Sequence, residues 1–167
     1  MAADVKFQLI DLPPDEGLPP PLLALNNEFA QELSYLSPEK AAHLVREAAM
    51  ACRAGEADAL LLAFDQDAAY ENPNFEWFRD RFERFIYIDR VVVSPAMRGR
   101  GLARSLYTAL FRRAAALKHS QVVCEINLDP PNPASDAFHA SLGFEQVGQA
   151  VLPRAGKTVR YFSRKID

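Results

Sequence analysis

The chain has 167 residues, of which 49% are hydrophobic and 25% are charged, and its formal net charge is −3 at pH 7. This length and balance predict one ordinary globular domain spanning residues 1–167. The acidic charge disfavours a general nucleic-acid binder, and no apolar run approaches the roughly 20 residues that a membrane-spanning helix needs.

The first part of the chain predicts a strand, two helices and a second strand. Residues 5–10 form the first strand. Leucines and phenylalanines at helical spacing then predict a helix over residues 22–33, after a proline run suited to a helix start. Ser37 and Pro38 resemble an N-cap and first helical position, and that helix is expected to run towards Gly55. Residues 59–64 form a short apolar run typical of a buried strand.

Residues 65–82 are harder to interpret. A turn is expected at residues 72–74, and the segment carries several large aromatic side chains. We favour core filling for these side chains, because aromatic residues are common core material. A partly helical loop covering a pocket is the alternative.

Residues 85–93 form the clearest strand, because they are rich in aromatic and β-branched side chains. Strict alternation would place Asp89 on the same face as Tyr87, Val91 and Val93, with Arg90 on the other face. Pro95 then ends the strand.

The remaining elements complete an α/β pattern. A helix is expected from Leu102 to Leu117, a strand over residues 122–128 and a short helix over 134–141. Two final strands, near residues 144–152 and 158–166, would form a hairpin around residues 154–157. The order β-α-α-β-β-α-β-α-β-β indicates a mixed α/β domain.

The segment Arg98-Gly99-Arg100-Gly101 predicts an anion site. A glycine turn between a strand and a helix exposes free backbone N–H groups at the positive end of the helix dipole. The two arginines could add charge-assisted hydrogen bonds to phosphate oxygens. A tight connection without a ligand remains the alternative, since Gly-x-Gly alone is a weak signal. The residues that a Walker loop or a dinucleotide fingerprint requires are absent.

Two motifs in this order resemble the GNAT superfamily of N-acetyltransferases. Arg98, Gly101 and Ala103 match the family pattern Arg/Gln-x-x-Gly-x-Gly/Ala after a strand. Downstream, the segment from Asn132 to Phe144 is similar to the second motif, Asn-x-x-Ala-x-x-Phe-Tyr-x-x-x-Gly-Phe. The tyrosine position of that motif holds His139 here.

The resemblance implies a largely antiparallel central sheet flanked by helices, the GNAT-like acyl-CoA N-acyltransferase fold. It implies acetyl-CoA as co-substrate, no metal, and a splay between the fourth and fifth strands that receives the pantetheine arm. The expected coenzyme-binding residues are Val91, Val92, Val93, Arg98, Gly99, Arg100, Gly101, Leu102, Ala103, Arg104, Asn132, Ser135 and Phe138.

The same resemblance implies the catalytic candidates. His139 stands where many relatives place a tyrosine that protonates the leaving thiolate; a structural histidine packed on its helix is the alternative. Asp89 is the expected base, against the alternative of an ion pair with an arginine, and Glu125 is the reserve. Asn132 could also cap the helix that begins near Pro133.

We therefore expect a GNAT-type N-acetyltransferase that acetylates a primary amine of a small molecule or a peptide N-terminus by direct attack in a ternary complex. A catalytically silent acyl-CoA-binding module and an enzyme using another acyl-CoA are the alternatives. Residues 22–36 and 65–82 are expected to shape the acceptor site. The two cysteines demand no disulfide and no secretory signal is evident, so a cytoplasmic protein is expected, with neither nucleic-acid nor membrane partners. A homodimer stays open.

Overall fold

A computed structural model describes residues 7–153 and 155–167. Its strands form one seven-stranded sheet in the order β1-β2-β3-β4-β5-β7-β6. The strands are β1 Leu9–Asp11, β2 Met50–Ala54, β3 Ala59–Asp65, β4 Ile86–Val93, β5 Gln121–Asp129, β6 Glu145–Leu152 and β7 Lys157–Lys165. The helices are α1 Pro20–Glu28, α2 Ala30–Leu33, α3 Pro38–Glu47, α4 Pro73–Arg79, α5 Leu102–Ala116 and α6 Pro133–Ser141. The pairing is antiparallel except between β4 and β5, so the predicted mixed, largely antiparallel α/β sheet is confirmed.

Several predicted boundaries were wrong. The helix expected to reach Gly55 ends at Glu47, and Met50–Ala54 forms strand β2 instead. Gly55 lies in the tight β2–β3 turn with φ +54°. The first strand begins at Leu9 rather than residue 5, and residues 5, 6 and 154 of the predicted elements lie outside the described part of the chain.

The aromatic segment 65–82 fills the core and also borders a cavity. Phe75 and Phe78 of α4 are fully buried, next to Phe85 and Tyr87. Trp77 stacks on Tyr161 of β7 and packs so closely on Gly148 that a Cβ there would lie 2.4 Å from the indole ring. The glycine in β6 thus lets α4 sit directly against the sheet.

A β-bulge interrupts the alternation of β4. Leu62 pairs with Arg90 and Ala63 pairs with Ile88, so Asp89 is the extra residue. Before the bulge Tyr87 packs into the core cluster under α1, α3 and α4, and beyond it Val92 belongs to that same cluster. Val91 and Val93 pack instead on the α5 side of the sheet. The prediction that Asp89 shares a face with Val91 and Val93 was therefore wrong, because a bulge shifts the side-chain parity by one residue.

The parallel strands β4 and β5 pair only at their start, within the described residues. The paired positions are Ile86 with Val122 and Tyr87 with Val123. Beyond them β5 continues its ladder with β7 as far as Asp129. The sheet is therefore open between the later residues of β4 and β5, as the family resemblance implies.

Candidate active site

A large cavity lies on the α3 and α4 side of the sheet, where β4 and β5 separate. Its volume is about 1150 Å³, slightly above the roughly 300–1,000 Å³ that is usual for small-molecule sites. Its walls come from α2, α3, the segment before α4, and the β6–β7 hairpin. Tyr87, Asp89 and Arg90 of β4, together with Glu125 and Asn127 of β5, line its sheet side. The predicted acceptor segments 22–36 and 65–82 both contribute to it.

The Asp89 carboxylate is fully engaged by neighbouring groups. Its side chain is only 3% exposed, and Arg90 Nε lies 2.7 Å from its Oδ2. The Tyr70 hydroxyl donates a hydrogen bond to the other oxygen, Oδ1. Burial and the Asp89 charge together raise the pKa of Tyr70, so the phenol keeps its proton.

Arg90 connects this carboxylate to the first helices. Its Nη1 donates to Asn26 Oδ1 at 3.0 Å, and the fully buried Asn26 also donates to the Ser34 carbonyl at 3.1 Å. Ser34 takes a left-handed conformation with φ +73° at the end of α2, and it lines the cavity. One buried network thus joins the bulge of β4 to the segment that forms one cavity wall.

Glu125 is a carboxylate of this cavity with a buried oxygen that is not used in a hydrogen bond. Tyr87 donates a 3.0 Å hydrogen bond to Oε1, whereas Oε2 is buried without a hydrogen-bond partner among the described residues. Burial raises the pKa of Glu125 to about 7, and the nearby Asp89 charge adds to this. Hydrogen bonding from Tyr87, together with smaller effects of a backbone N–H and the Asn74 side chain, acts in the opposite direction. At neutral pH this carboxyl group can therefore both accept and release a proton.

The glycine turn lies at the N-terminus of α5. Gly99 and Gly101 have φ values of +76° and +81°, and a Cβ at either position would meet nothing within 4 Å. Glycine is needed there for the backbone conformation and not for close packing. Arg98 donates to the Val93 carbonyl at 3.3 Å, while Arg100 is exposed. Among the residues described, none of 98–104 lines the large cavity.

The second motif forms the start of α6. Asn132 caps the helix by accepting a 3.2 Å hydrogen bond from the Ser135 backbone N–H, as predicted for a cap. Arg104 of α5 donates to Ser141 at 2.8 Å and lies 5.8 Å from the Phe138 ring centre, so α5 and α6 are held together at their surface.

His139 is buried between α5 and α6. Its Nδ1 lies 2.8 Å from the Ser135 carbonyl, which can only accept, so Nδ1 carries the proton. Its Nε2 then accepts from the Tyr107 hydroxyl at 2.8 Å. Burial lowers the pKa of His139, which keeps the ring neutral. The ring does not line the cavity of the described structure, unlike Asp89.

Comparison with known proteins shows which family contains these two motifs. Residues 69–144 match the model described as Acetyltransferase (GNAT) family. This segment is a GNAT-family acetyltransferase domain. It contains the bulged strand β4, the glycine turn and the whole of α6.

Solved structures show the GNAT fold across the chain at low sequence identity. A putative acetyltransferase from Acinetobacter baylyi is 18% identical with a TM-score of 0.72, over 100% of this chain and 96% of that one. A putative acetyltransferase from Salmonella typhimurium, solved with its cofactor acetyl-CoA, is 16% identical with a TM-score of 0.70 over 97% and 95%. The ribosomal-protein-S18-alanine N-acetyltransferase from Escherichia coli is 13% identical with a TM-score of 0.65 over 97% and 95%. No curated protein matched the chain.

Sequence reasoning missed much of the large cavity. It placed Glu125 only in reserve and overlooked Asn26, although adjacent asparagines inside an otherwise apolar helix are a signal that could have been used. The contributions of α3 and of the β6–β7 hairpin depend on long-range packing, so no local pattern pointed to them.

No group of three potential metal ligands occurs in the described residues, and no described helix is long and apolar enough to cross a membrane.

Proposed function

We propose that the protein is an N-acetyltransferase that moves the acetyl group of acetyl-CoA to a primary amine of a small molecule or peptide N-terminus. The observation that carries this proposal is Glu125, a buried carboxylate with a free oxygen at the point where β4 and β5 separate. An amine nucleophile must lose a proton, and Glu125, whose pKa is raised to about 7, is suited to take it near neutral pH.

The residues of the glycine turn fit the coenzyme. Gly99 and Gly101 leave open space beside free backbone N–H groups at the start of α5. Arg98 and Arg100 are exposed and can reach phosphate oxygens. Residues Val91–Val93 offer main-chain groups to the pantetheine arm, while Asn132, Ser135 and Phe138 form the facing α6 side. The coenzyme would supply the activated acetyl thioester.

Glu125 replaces Asp89 as the proposed base. Both Asp89 oxygens already accept hydrogen bonds from Tyr70 and Arg90. Proton transfer to Asp89 would break a buried ion pair, which is costly. We therefore assign Asp89 to holding Tyr70 and Arg90 in place and Glu125 to accepting the amine proton. The amine then attacks directly, with both substrates bound.

His139 is the proposed acid for the leaving thiolate. Its one proton lies on Nδ1 and is donated to the Ser135 carbonyl, while Nε2 accepts from Tyr107. To act as the acid, the neutral ring must first take up a second proton at Nε2, with the Tyr107 hydroxyl turning from donor to acceptor, and can then pass one proton to the thiolate. The substitution His139→Phe should lower turnover while leaving coenzyme affinity nearly intact. Tyr107→Phe removes the hydroxyl but keeps the histidine, and it should retain more activity than His139→Phe if the histidine is the donor.

A catalytically silent acyl-CoA-binding module is the second candidate. It is favoured by the departure at His139, whose ring nitrogens both bond within the protein. Titration calorimetry with acetyl-CoA and release of free thiol across a panel of primary amines separate the two functions. Thiol release that depends on an amine and on Glu125 supports the enzyme. Coenzyme binding without release supports the silent module, and absence of binding overturns both.

A further inference from the structure

We propose that the acceptor is a small primary amine with an anionic group several bonds from its amino group, and that Lys157 binds that anion. This inference rests on the proposed function. It concerns one continuous side of the cavity, which runs along β7 from Glu125 to the β6–β7 hairpin.

The register of β7 places an anion and a cation in line. Tyr161 pairs with Glu125, and Val159 pairs with Asn127. Residues 161, 159 and 157 share one face of β7, because side chains alternate along a strand. Glu125, Asn127, Val159 and Lys157 all line the cavity. Residues 157 and 161 are four positions apart on an extended strand, which puts their backbones about 13 Å apart. The long side chains of Lys157 and Glu125 can both extend towards the middle of the cavity, so the bound molecule has to span a shorter distance than this.

The amino group belongs at the Glu125 end. The hydroxyls of Tyr70 and Tyr87 are already donated to carboxylates, and Glu125 Oε2 is an acceptor without a donor among the described residues. A primary ammonium group provides three N–H donors and a positive charge, which together complement a buried carboxylate. Lys157 lies at the other end, beside the exposed residues Pro153 and Ala155.

Other charges around the cavity are less effective. Glu32, Glu71 and Lys40 are exposed, so solvent screens them. Glu76 is paired with Arg79 at 3.7 Å. Lys157 is half-buried, and none of the ion pairs found in residues 7–153 and 155–167 includes it. A half-buried cation without a partner attracts an anion more strongly than the exposed acids attract a second amine.

Three five-carbon amines test the proposal, because they differ only in their far end. They are 5-aminopentanoate, 1,5-diaminopentane and pentylamine, whose far ends are anionic, cationic and neutral. The readouts are kcat/KM from thiol release and calorimetric binding of each amine to the coenzyme-loaded protein. We expect 5-aminopentanoate to be preferred by roughly tenfold, as for one charge-assisted contact.

Variants at the two ends of β7 provide the comparison. Lys157→Ala should remove the preference, Lys157→Glu should favour 1,5-diaminopentane, and Lys157→Arg should retain the preference for the anion. Lys165→Ala removes an exposed lysine from the far end of the same strand and should change nothing. A short peptide with an acidic third residue is assayed beside 5-aminopentanoate. A higher kcat/KM for the peptide indicates a peptide acceptor, and a higher kcat/KM for 5-aminopentanoate indicates a free small amine.

The outcomes separate the two proposals. Equal rates for all three amines, with no effect of Lys157→Ala, would overturn the anionic acceptor and leave the acetyltransferase intact. Absence of thiol release with any amine would overturn the proposed function, and the binding measurements then still decide whether Lys157 selects an anion. Equal binding of the three amines overturns that selection.

Discussion

The Tyr87 hydroxyl donates a 3.0 Å hydrogen bond to Glu125 Oε1 across the two strands that are beginning to separate. Both side chains lie on the cavity side, and Tyr87 is fully buried. Burial raises the pKa of Tyr87 well above its ordinary value, so the phenol remains a donor throughout the working pH range. The bond lowers the pKa of Glu125 and opposes the effect of burial. Tyr87 therefore adjusts the pH at which the proposed base becomes active.

The first prediction concerns the pH dependence of turnover. A base must be unprotonated to work, so the rate should rise with pH through about 7, the pKa of Glu125. Tyr87→Phe removes a hydrogen bond that stabilises the carboxylate, and the rising limb should move to higher pH. Glu125→Gln should lower kcat by about 10²-fold or more and remove this limb. A limb unchanged in both variants would assign the titration to another group.

The second prediction concerns stability. The folded-state pKa of Glu125 is raised from 4.5 to about 7, so the folded protein holds this proton more tightly than the unfolded chain does. The stabilising contribution is complete below pH 4.5 and is lost as pH rises through about 7. A shift of this size corresponds to about 3 kcal/mol. Glu125→Gln should therefore raise the free energy of unfolding at pH 8 but have little effect at pH 4.5, as measured by urea denaturation.

The third prediction uses two matched glycines. Gly101 and Gly156 have φ values of +81° and +62°, and a Cβ at either position meets nothing within 4 Å. Alanine should cost about 1 kcal/mol of stability at each site, because only the backbone conformation is strained. Coenzyme affinity should fall in Gly101→Ala alone, since only that turn belongs to the proposed phosphate site. Equal affinities in the two variants, measured by calorimetry, would contradict this site.

The fourth prediction concerns the buried ion pair. Arg90→Ala leaves Asp89 buried without its cation and should destabilise the protein by about 3–5 kcal/mol. Arg90→Lys keeps the charge but cannot reproduce the contacts to both Asp89 and Asn26, so the segment around Ser34 should be held less firmly. Its KM for the amine should rise more than its kcat falls, with coenzyme affinity unchanged. A fall in kcat alone would argue against this positioning role.

Asp89→Asn keeps the shape of the side chain and should retain more turnover than Glu125→Gln.

The sequence predicted the local structure around the proposed coenzyme site better than that around the proposed acceptor site. The glycine turn, the cap at Asn132 and the amphipathic helix α5 are local features, and each was found from spacing and residue type. Strand β2 was missed because Met50–Ala54 follows a good helix without a strong break. The bulge at Asp89 was missed because it depends on the pairing with β3, which one strand does not reveal.

The different roles of the Asp89 and Glu125 carboxylates could be assigned only from the structure. In sequence, Asp89 and Glu125 are both acids within apolar strands. Their difference comes from Tyr70, Arg90 and Tyr87, which occupy three of the four carboxylate oxygens. No spacing rule predicts that Tyr70, nineteen residues before Asp89, supplies one of these bonds. We therefore chose Glu125 over Asp89 as the proposed base from the number of hydrogen-bond donors that contact each carboxylate in the structure.

The extra residue at Asp89 has an effect on how β4 tolerates mutation. Removing Asp89 itself would restore simple alternation with Leu62 still opposite Arg90 and Ala63 still opposite Ile88, so Val91 and Val93 would keep the layer they now occupy. The packing of the strand would survive, whereas the cavity would lose the carboxylate that holds Tyr70 and Arg90. A single-codon deletion beyond the bulge, at Val91 or Val92, would instead turn the residues that follow it towards the opposite layer, so the bulge is the position of β4 at which we expect a deletion to disturb the packing least.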